Sequence, residues 1–224
     1  MIGIATAAYK RVDIFKIWAK NVRHCFPDAV VSVAYSETYY KDIIESYGFI
    51  PVWHDNRPLG HKFNAAIKAL KGKCGNIITT GSDDITSDAL AQYYKENVGF
   101  DYVAFFDCFF HSVELNKTKY WGGYTIPRRQ GEPIGAGKMV SSKVMDDLSW
   151  SPFPAINKSL DWHYHNAVMN IEGIELKLSY LSEIKDAYLI DLKSEINMNT
   201  FAAIPAREVS NHWQKITNYE LPNQ

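Results

Sequence analysis

Short apolar runs alternate with amphipathic stretches along the first hundred residues. Ile2 to Ala8 is a continuous apolar run of strand length, and behind Asp13, read as a helix cap, Ile14, Ile17, Trp18, Val22 and Cys25 recur at helical spacing. Val30 to Tyr35 reads as a second strand, and Tyr39 to Tyr47 as a helix closed by Gly48. Phe49 to Trp53 reads as a third strand. Lys62 to Lys71 follows as a helix closed by Gly72, with Phe63, Ala66, Ile67 and Leu70 on one face. Asn76 to Thr80 is a fourth strand, Ser87 to Asn97 a helix, and Tyr102 to Phe106 a further strand. Strands alternating with helices at this spacing imply right-handed crossovers and a largely parallel sheet covered on both faces.

The pattern then changes. Residues 111 to 138 carry Trp121, Tyr124 and five glycines and predict an irregular stretch. Helical signals return at Ser142 to Leu148 and Leu160 to Ile171, and strand signals at Glu175 to Tyr180 and Ala187 to Leu192, before a polar tail with Pro205 and Pro222. The expected architecture is one α/β domain over 1–224: a Rossmann-like, mixed but mostly parallel sheet flanked by helices. Residues 1–100 would form a nucleotide-binding half and 101–224 an acceptor-binding half.

Composition narrows the class of partner. The 24 Lys plus Arg residues balance 25 Asp plus Glu, so no global field draws the chain to nucleic acid or to an anionic membrane. Cys25, Cys74 and Cys108 form neither a disulfide framework nor a Cys-x-x-Cys motif, which suits a reducing compartment. The apolar run at Ile2 is too short for a membrane span or a signal-peptide core, so a cytoplasmic protein is expected. Aromatic residues make up 14% of the chain, with 14 Tyr and 6 Trp, a supply of flat surfaces on which sugars stack.

Ligands of open α/β sheets bind beyond the carboxyl ends of the strands. There the sequence places Thr6, Tyr9, Lys10 and Arg11, then Ser36 and Glu37, then His54 to Arg57, then Ser82, Asp83 and Asp84. The Gly81-Ser-Asp-Asp84 turn is the sharpest feature. Two carboxylates at a strand end suit a hard divalent cation that shares its shell with phosphates. As an isolated pair, Asp83 and Asp84 read more readily as a cap on the next helix, and it is the flanking context that turns them toward a metal site.

The order of three segments carries a family resemblance. Ile4-Ala-Thr-Ala-Ala-Tyr-Lys-Arg11 resembles the Pro-Thr-Tyr-Asn-Arg opening of inverting, family-two-like glycosyltransferases. Leu59-Gly-His-Lys-Phe-Asn-Ala-Ala-Ile67 is similar to their Gly-x-x-x-Ala-Arg-Asn-x-Ala helix, and Gly81 to Asp84 falls where they carry Asp-x-Asp-Asp. The resemblance implies a GT-A fold and transfer of a sugar from a nucleoside-diphosphate sugar, UDP-linked in the first instance, to a hydroxyl acceptor. The acceptor would be a carbohydrate, a glycolipid or a modified nucleobase. Thr6, Tyr9, Arg11 and Glu37 would line the nucleoside pocket, Lys62 and Asn64 approach the base or diphosphate, Ser82 and Asp84 contact the nucleotide sugar, and Asp83 hold Mn²⁺ or Mg²⁺. Gly81 and Lys10 depart from the family pattern, in place of an acidic residue and of Asn. A non-catalytic sugar-binding module on the same fold is the alternative.

In the second half, Ser159-Leu-Asp-Trp-His-Tyr-His165 resembles the acidic acceptor-side motif of that family, which implies Asp161 as catalytic base. His165 or His163 would orient it or add a metal ligand. For Asp161 a first-turn carboxylate favoured by the helix dipole stays open, and for His165 a packed core residue. Gly135, Gly137 and Lys138, after Arg128 and Arg129, form a loop suited to close approach by the donor sugar, and Trp121 and Tyr124 are candidates for stacking or for core packing. Asp191 to Lys193, with Asn197 and Asn199, follows the last strand and has no assigned role.

Overall fold

The computed structural model describes residues 1–194 and 201–209. Its larger sheet has seven strands in the order β10-β6-β9-β4-β1-β2-β3. The apolar runs supply its centre: β1 (Ile2–Ala7), β2 (Val30–Tyr35), β3 (Ile50–Trp53) and β4 (Asn76–Thr79). β1 pairs in parallel with both β2 and β4, and β2 in parallel with β3. β1 is buried at every residue but its last, as befits a strand covered on both faces. β6 (Tyr102–Phe105) and β10 (Leu176–Ser179) pair in parallel with each other. β9 (Lys138–Ser141), which begins at the last residue of the stretch read as irregular, runs antiparallel between β4 and β6.

Helices cover the two faces and enclose two cores. On one face α1 (Val12–Cys25) and α2 (Tyr40–Ser46) bring Phe15, Trp18, Tyr40 and Ile44 against Ile4, Val31 and Val33, joined by Leu90 and Tyr94 of α4 (Asp88–Glu96). On the other, α3 (Leu59–Lys68), α5 (Ser142–Asp147) and α6 (Leu160–Met169) bury Ala66, Ile67, Val144, Tyr164 and Val168 against Ala5, Ile77 and Val140. Each of the branched aliphatic and Phe side chains among these contributes on the order of 1.5–3 kcal/mol of apolar burial.

The helix boundaries correct three expectations. Asp13 lies in the first turn of α1 rather than at its cap, which is Arg11, so it acts through the helix dipole. α3 begins at Leu59, three residues before the position read from its apolar face, and its first turn carries Gly60, where the Pro154 carbonyl leaves no room for a Cβ. α4 is capped by the Ser87 hydroxyl, which accepts from the Leu90 amide at 3.2 Å; neither Asp83 nor Asp84 caps it.

A second sheet of five strands, in the order β12-β8-β7-β11-β5, was not visible in the periodicity. β7 (Cys108–Ser112) and β8 (Lys117–Trp121) form a hairpin that turns through Asn116 at φ 48°. β5 (Asp84–Thr86) pairs antiparallel with β11 (Leu189–Lys193), which runs parallel to β7. β12 (Arg207–Val209), in the tail, pairs with β8. The Gly81 turn is therefore the step at which the chain leaves the large sheet for the small one. No helix among the described residues is long and apolar enough to cross a membrane.

Candidate active site

Three carboxylates meet at that step. One ligand atom from each of Asp83, Asp84 and Asp191 lies within 4.8 Å of the others. Asp84 and Asp191 are register partners in the β5–β11 pair, and the Leu192 amide donates to the Asp83 carbonyl at 2.9 Å, so backbone pairing fixes the cluster. Asp84 Oδ2 accepts from the Gly81 amide at 2.5 Å and from Thr80 Oγ1 at 3.0 Å. Gly81 is required by crowding: a Cβ there would lie 2.5 Å from Asp83 Oδ1 and 2.9 Å from Asp84 Oδ2. The glycine that departs from the family pattern thus makes room for the two carboxylates that follow it.

Two cations flank the cluster. Arg11 Nη1 bonds Asp83 Oδ2 at 2.8 Å, and Lys193 Nζ bonds Asp191 Oδ2 at 2.5 Å. Burial, then the charge of Asp83, pushes both the Asp191 and Asp84 carboxyls above the usual carboxylate range, against the pull of Lys193. Asp191 Oδ1 is buried with no hydrogen-bond partner among the described residues. A buried carboxylate oxygen without a donor is costly, and a divalent cation with oxygen ligands satisfies it. The donor set, all carboxylate with one orphaned oxygen, fits Mg²⁺ or Mn²⁺.

The strand-end residues of the nucleotide half have distinct positions. Lys62 is fully buried and donates to the Ala8 carbonyl at 2.6 Å, Ser36 Oγ at 2.9 Å and Asn56 Oδ1 at 3.1 Å, tying together the loops after β1, β2 and β3. Burial, offset by Glu37, lowers its ammonium to about 8. Tyr9 is exposed, with Lys62 Nζ 5.7 Å from its ring centroid, and Glu37 is half-buried beside Ser36. Lys10 adopts φ 56°, a left-handed conformation that Asn enters more readily than Lys. Thr6 is closed off from solvent, its Oγ1 unpartnered among the described residues, and Ser82 is buried in the turn. Asn64 is committed elsewhere: its amide donates to the Phe153 carbonyl at 2.8 Å and accepts from the Phe153 amide at 3.1 Å, pinning the 151–155 segment to α3. An open groove of about 450 Å³ lies between α3 and that segment, lined by His54, His61, Lys68 and Phe153.

Asp161 lies in the first turn of α6 inside a buried polar cluster. Its Oδ2 accepts from Arg129 Nη2 at 2.6 Å and from the Tyr124 hydroxyl; its Oδ1 has no protein donor among the described residues. Burial pushes this carboxyl up, but the bonds from Tyr124 and Arg129 outweigh it and hold the group below the usual range. Arg129 also bonds Glu132 at 2.7 Å and stacks on the Tyr124 ring at 3.6 Å. Neither histidine bonds Asp161. His165 Nδ1 meets the Tyr102 hydroxyl at 3.2 Å, and burial, then Lys138, lowers its imidazole to about 4. The residues that orient Asp161 are Tyr124 and Arg129, where His165 or His163 had been expected. Trp121 packs edge-on against Tyr124 and on Phe110.

β9 joins the two acidic sites along one sheet edge. Lys138 pairs with Thr79 at the carboxyl end of β4, and its fully buried ammonium donates to the Asp161 carbonyl at 2.8 Å. Gly137, at φ 70°, donates from its amide to Thr79 and accepts from the Tyr94 hydroxyl at 2.6 Å; a Cβ there would meet that hydroxyl at 2.6 Å. Gly135 packs on Asp161, where a Cβ would lie 3.0 Å from the Asp161 Cβ. Asp191 and Lys193 had no role in the sequence reading, whose only signal was a carboxylate and an ammonium two residues apart on a strand. Asn197 and Asn199 lie outside the described residues.

No protein-family model matches the sequence, and no curated protein matches it. Solved structures do. A crystal structure of residues 1–349 of TarS from S. aureus aligns over 85% of this chain at 14% identity with a TM-score of 0.59, and this chain spans 60% of that length. A glucosyl-3-phosphoglycerate synthase from Mycobacterium tuberculosis, in complex with phosphoglyceric acid, aligns over 81% of this chain and 70% of its own, at 13% identity and a TM-score of 0.53. A CMP:2-keto-3-deoxy-manno-octonic acid synthetase complexed with CTP aligns at 10% identity with a TM-score of 0.48, too loosely to argue from. What the chain shares with these structures is the fold: it has a GT-A-type fold, with a mostly parallel sheet flanked by helices.

Proposed function

We propose that this chain is a glycosyltransferase that moves a sugar from a nucleoside-diphosphate sugar, UDP-linked in the first instance, to a hydroxyl acceptor with inversion. The observation that carries the reading is the orphaned Asp191 Oδ1 within a three-carboxylate cluster, at the sheet edge where α/β folds bind nucleotides. Asp83, Asp84 and Asp191 hold Mn²⁺ or Mg²⁺. The cation, when bound, supplies Lewis-acid neutralisation of the leaving diphosphate.

The chain's own residues perform the rest. Arg11 fixes the orientation of Asp83 through its 2.8 Å bond and adds positive charge at the diphosphate mouth. Lys62 sets the spacing of the three loops that receive the nucleoside, with Tyr9 and Glu37 at its rim. Asp161 accepts the acceptor's hydroxyl proton on Oδ1 as the acceptor oxygen bonds the anomeric carbon and the sugar–diphosphate bond breaks, its electron pair leaving on the diphosphate. Tyr124 and Arg129 hold the other oxygen and so aim the base. The acceptor is a carbohydrate, a glycolipid or a modified nucleobase, approached over Trp121 and the 122–137 loop.

The engagement of Asp161 by Arg129 also suits a sugar-binding module in which that carboxylate is a latch. Nucleotide release from a panel of uridine, guanosine and thymidine diphosphate sugars, with and without Mn²⁺, tests the reading. Release with at least one donor that depends on Mn²⁺ is expected; neither binding nor release with any donor would overturn it. Binding that Asp161→Asn leaves intact, with no turnover in the parent protein, would select the module.

A further inference from the structure

A second cluster of metal-ligating groups lies away from the cleft, where α1 ends and α4 begins. We infer that His24 Nε2, Cys25 Sγ and Asp88 Oδ1 form a binding site for Zn²⁺. The three ligand atoms lie within 4.8 Å of one another, with His24 Nε2 2.8 Å and Cys25 Sγ 3.7 Å from Asp88 Oδ1. A tetrahedral zinc ion with its usual bonds to S, N and O separates neighbouring ligand atoms by roughly 3.3–3.8 Å. The Cys25–Asp88 separation already falls in that range, and the His24–Asp88 separation lies about half an ångström short of it, a movement open to two exposed side chains at helix ends.

The frame around the cluster is already fixed. The Asn21 amide, one turn before Cys25, donates to the Thr86 carbonyl at 2.8 Å and accepts from the Thr86 amide at 2.9 Å, locking α1 to the segment that enters α4. Ser87 rather than Asp88 caps α4, so the Asp88 carboxylate is available as a ligand. Cys25 is 4% exposed, its thiol aimed at the Thr86 carbonyl at 3.3 Å and at Asp88. The side chains of His24 and Asp88 are 61% and 77% exposed, which gives a metal a route in and leaves the fourth corner to water. A coordinating cation displaces the proton of a cysteine thiol outright.

The donor sets of the two sites differ in kind. The cleft offers three carboxylates, suited to hard cations, and this cluster offers thiolate, imidazole and carboxylate, suited to zinc. Occupancy would clip α1 to α4 and stiffen the face of the sheet that they share.

Titration with Co²⁺ as the zinc surrogate tests the assignment, because a thiolate ligand adds a sulfur-to-metal charge-transfer band that carboxylates cannot give. The expected result is such a band saturating at one equivalent, bleached by Zn²⁺, absent in Cys25→Ser and kept in Cys74→Ser and Asp83→Asn. His24→Gln changes an exposed side chain and should leave the fold intact while weakening Co²⁺ binding by roughly tenfold or more. Absence of the band, its persistence in Cys25→Ser, or unchanged affinity in His24→Gln would each overturn the proposal.

Discussion

Asp84 and Asp191 oppose one another in the antiparallel β5–β11 pair, and this pairing brings a carboxylate from the far end of the chain to the Gly81 turn. Removing Asp191 while keeping its shape separates its chemical role from its packing. Asp191→Asn is expected to lower cation-dependent turnover by roughly 10–100-fold, the range for loss of a metal-site partner. Parental turnover in this variant would remove Asp191 from the site.

The same crowding sets a pH dependence. The folded-state carboxyls of Asp84 and Asp191 are raised above their unfolded values, so the folded chain holds more protons than the unfolded one between those values. Stability without cation should therefore fall as pH rises above the usual carboxylate range toward neutrality. A divalent cation replaces the proton, so Mn²⁺ should flatten this decline and bind more tightly as pH rises. Unfolding midpoints of the parent and of Asp191→Asn across pH 5 to 8, with and without Mn²⁺, check both signs; the lowered imidazole of His165 acts in the opposite sense in both proteins, so the contradicting result is a parent-minus-variant difference that grows with pH in the absence of metal.

Gly81→Ala tests the room that the turn provides. The added methyl would lie 2.5 Å from Asp83 Oδ1, while the backbone needs no positive φ there. The expected outcome is a folded protein whose activation requires roughly tenfold or more Mn²⁺. Unchanged Mn²⁺ dependence would show that the two carboxylates need not converge.

How far these features were legible in the sequence follows from their range. β1 to β4 and the helices between them could be read because their burial follows local periodicity, and the Gly81 to Asp84 turn because it ends a buried strand. Asp191 could not be placed because its role depends on β11 pairing with β5, a strand of three residues with no periodicity of its own. The Arg129–Asp161 bond joins a turn before β9 to the first turn of α6, a long-range contact that local periodicity does not encode. His165 lies one turn from Asp161, as the helical spacing predicted, yet that spacing does not choose between partners, and Tyr102 on the neighbouring strand takes its ring.

Lys62 links the nucleotide half to stability. Lys62→Met leaves the Ala8 carbonyl without its donor, a loss of roughly 1–3 kcal/mol measurable by denaturant unfolding. Because the loops after β1, β2 and β3 lose their common tie, donor KM should rise more than kcat falls. An unchanged KM would place Lys62 outside the donor pocket's support.

The cation's role in donor binding is the most direct test of the account. Calorimetric titration of the responsive nucleotide sugar, in EDTA and then in Mn²⁺, should show affinity rising at least tenfold with the metal in the parent protein and not in Asp83→Asn combined with Asp191→Asn. Equal affinity in EDTA and Mn²⁺, or a metal effect that survives both substitutions, would contradict a cation held by the three carboxylates.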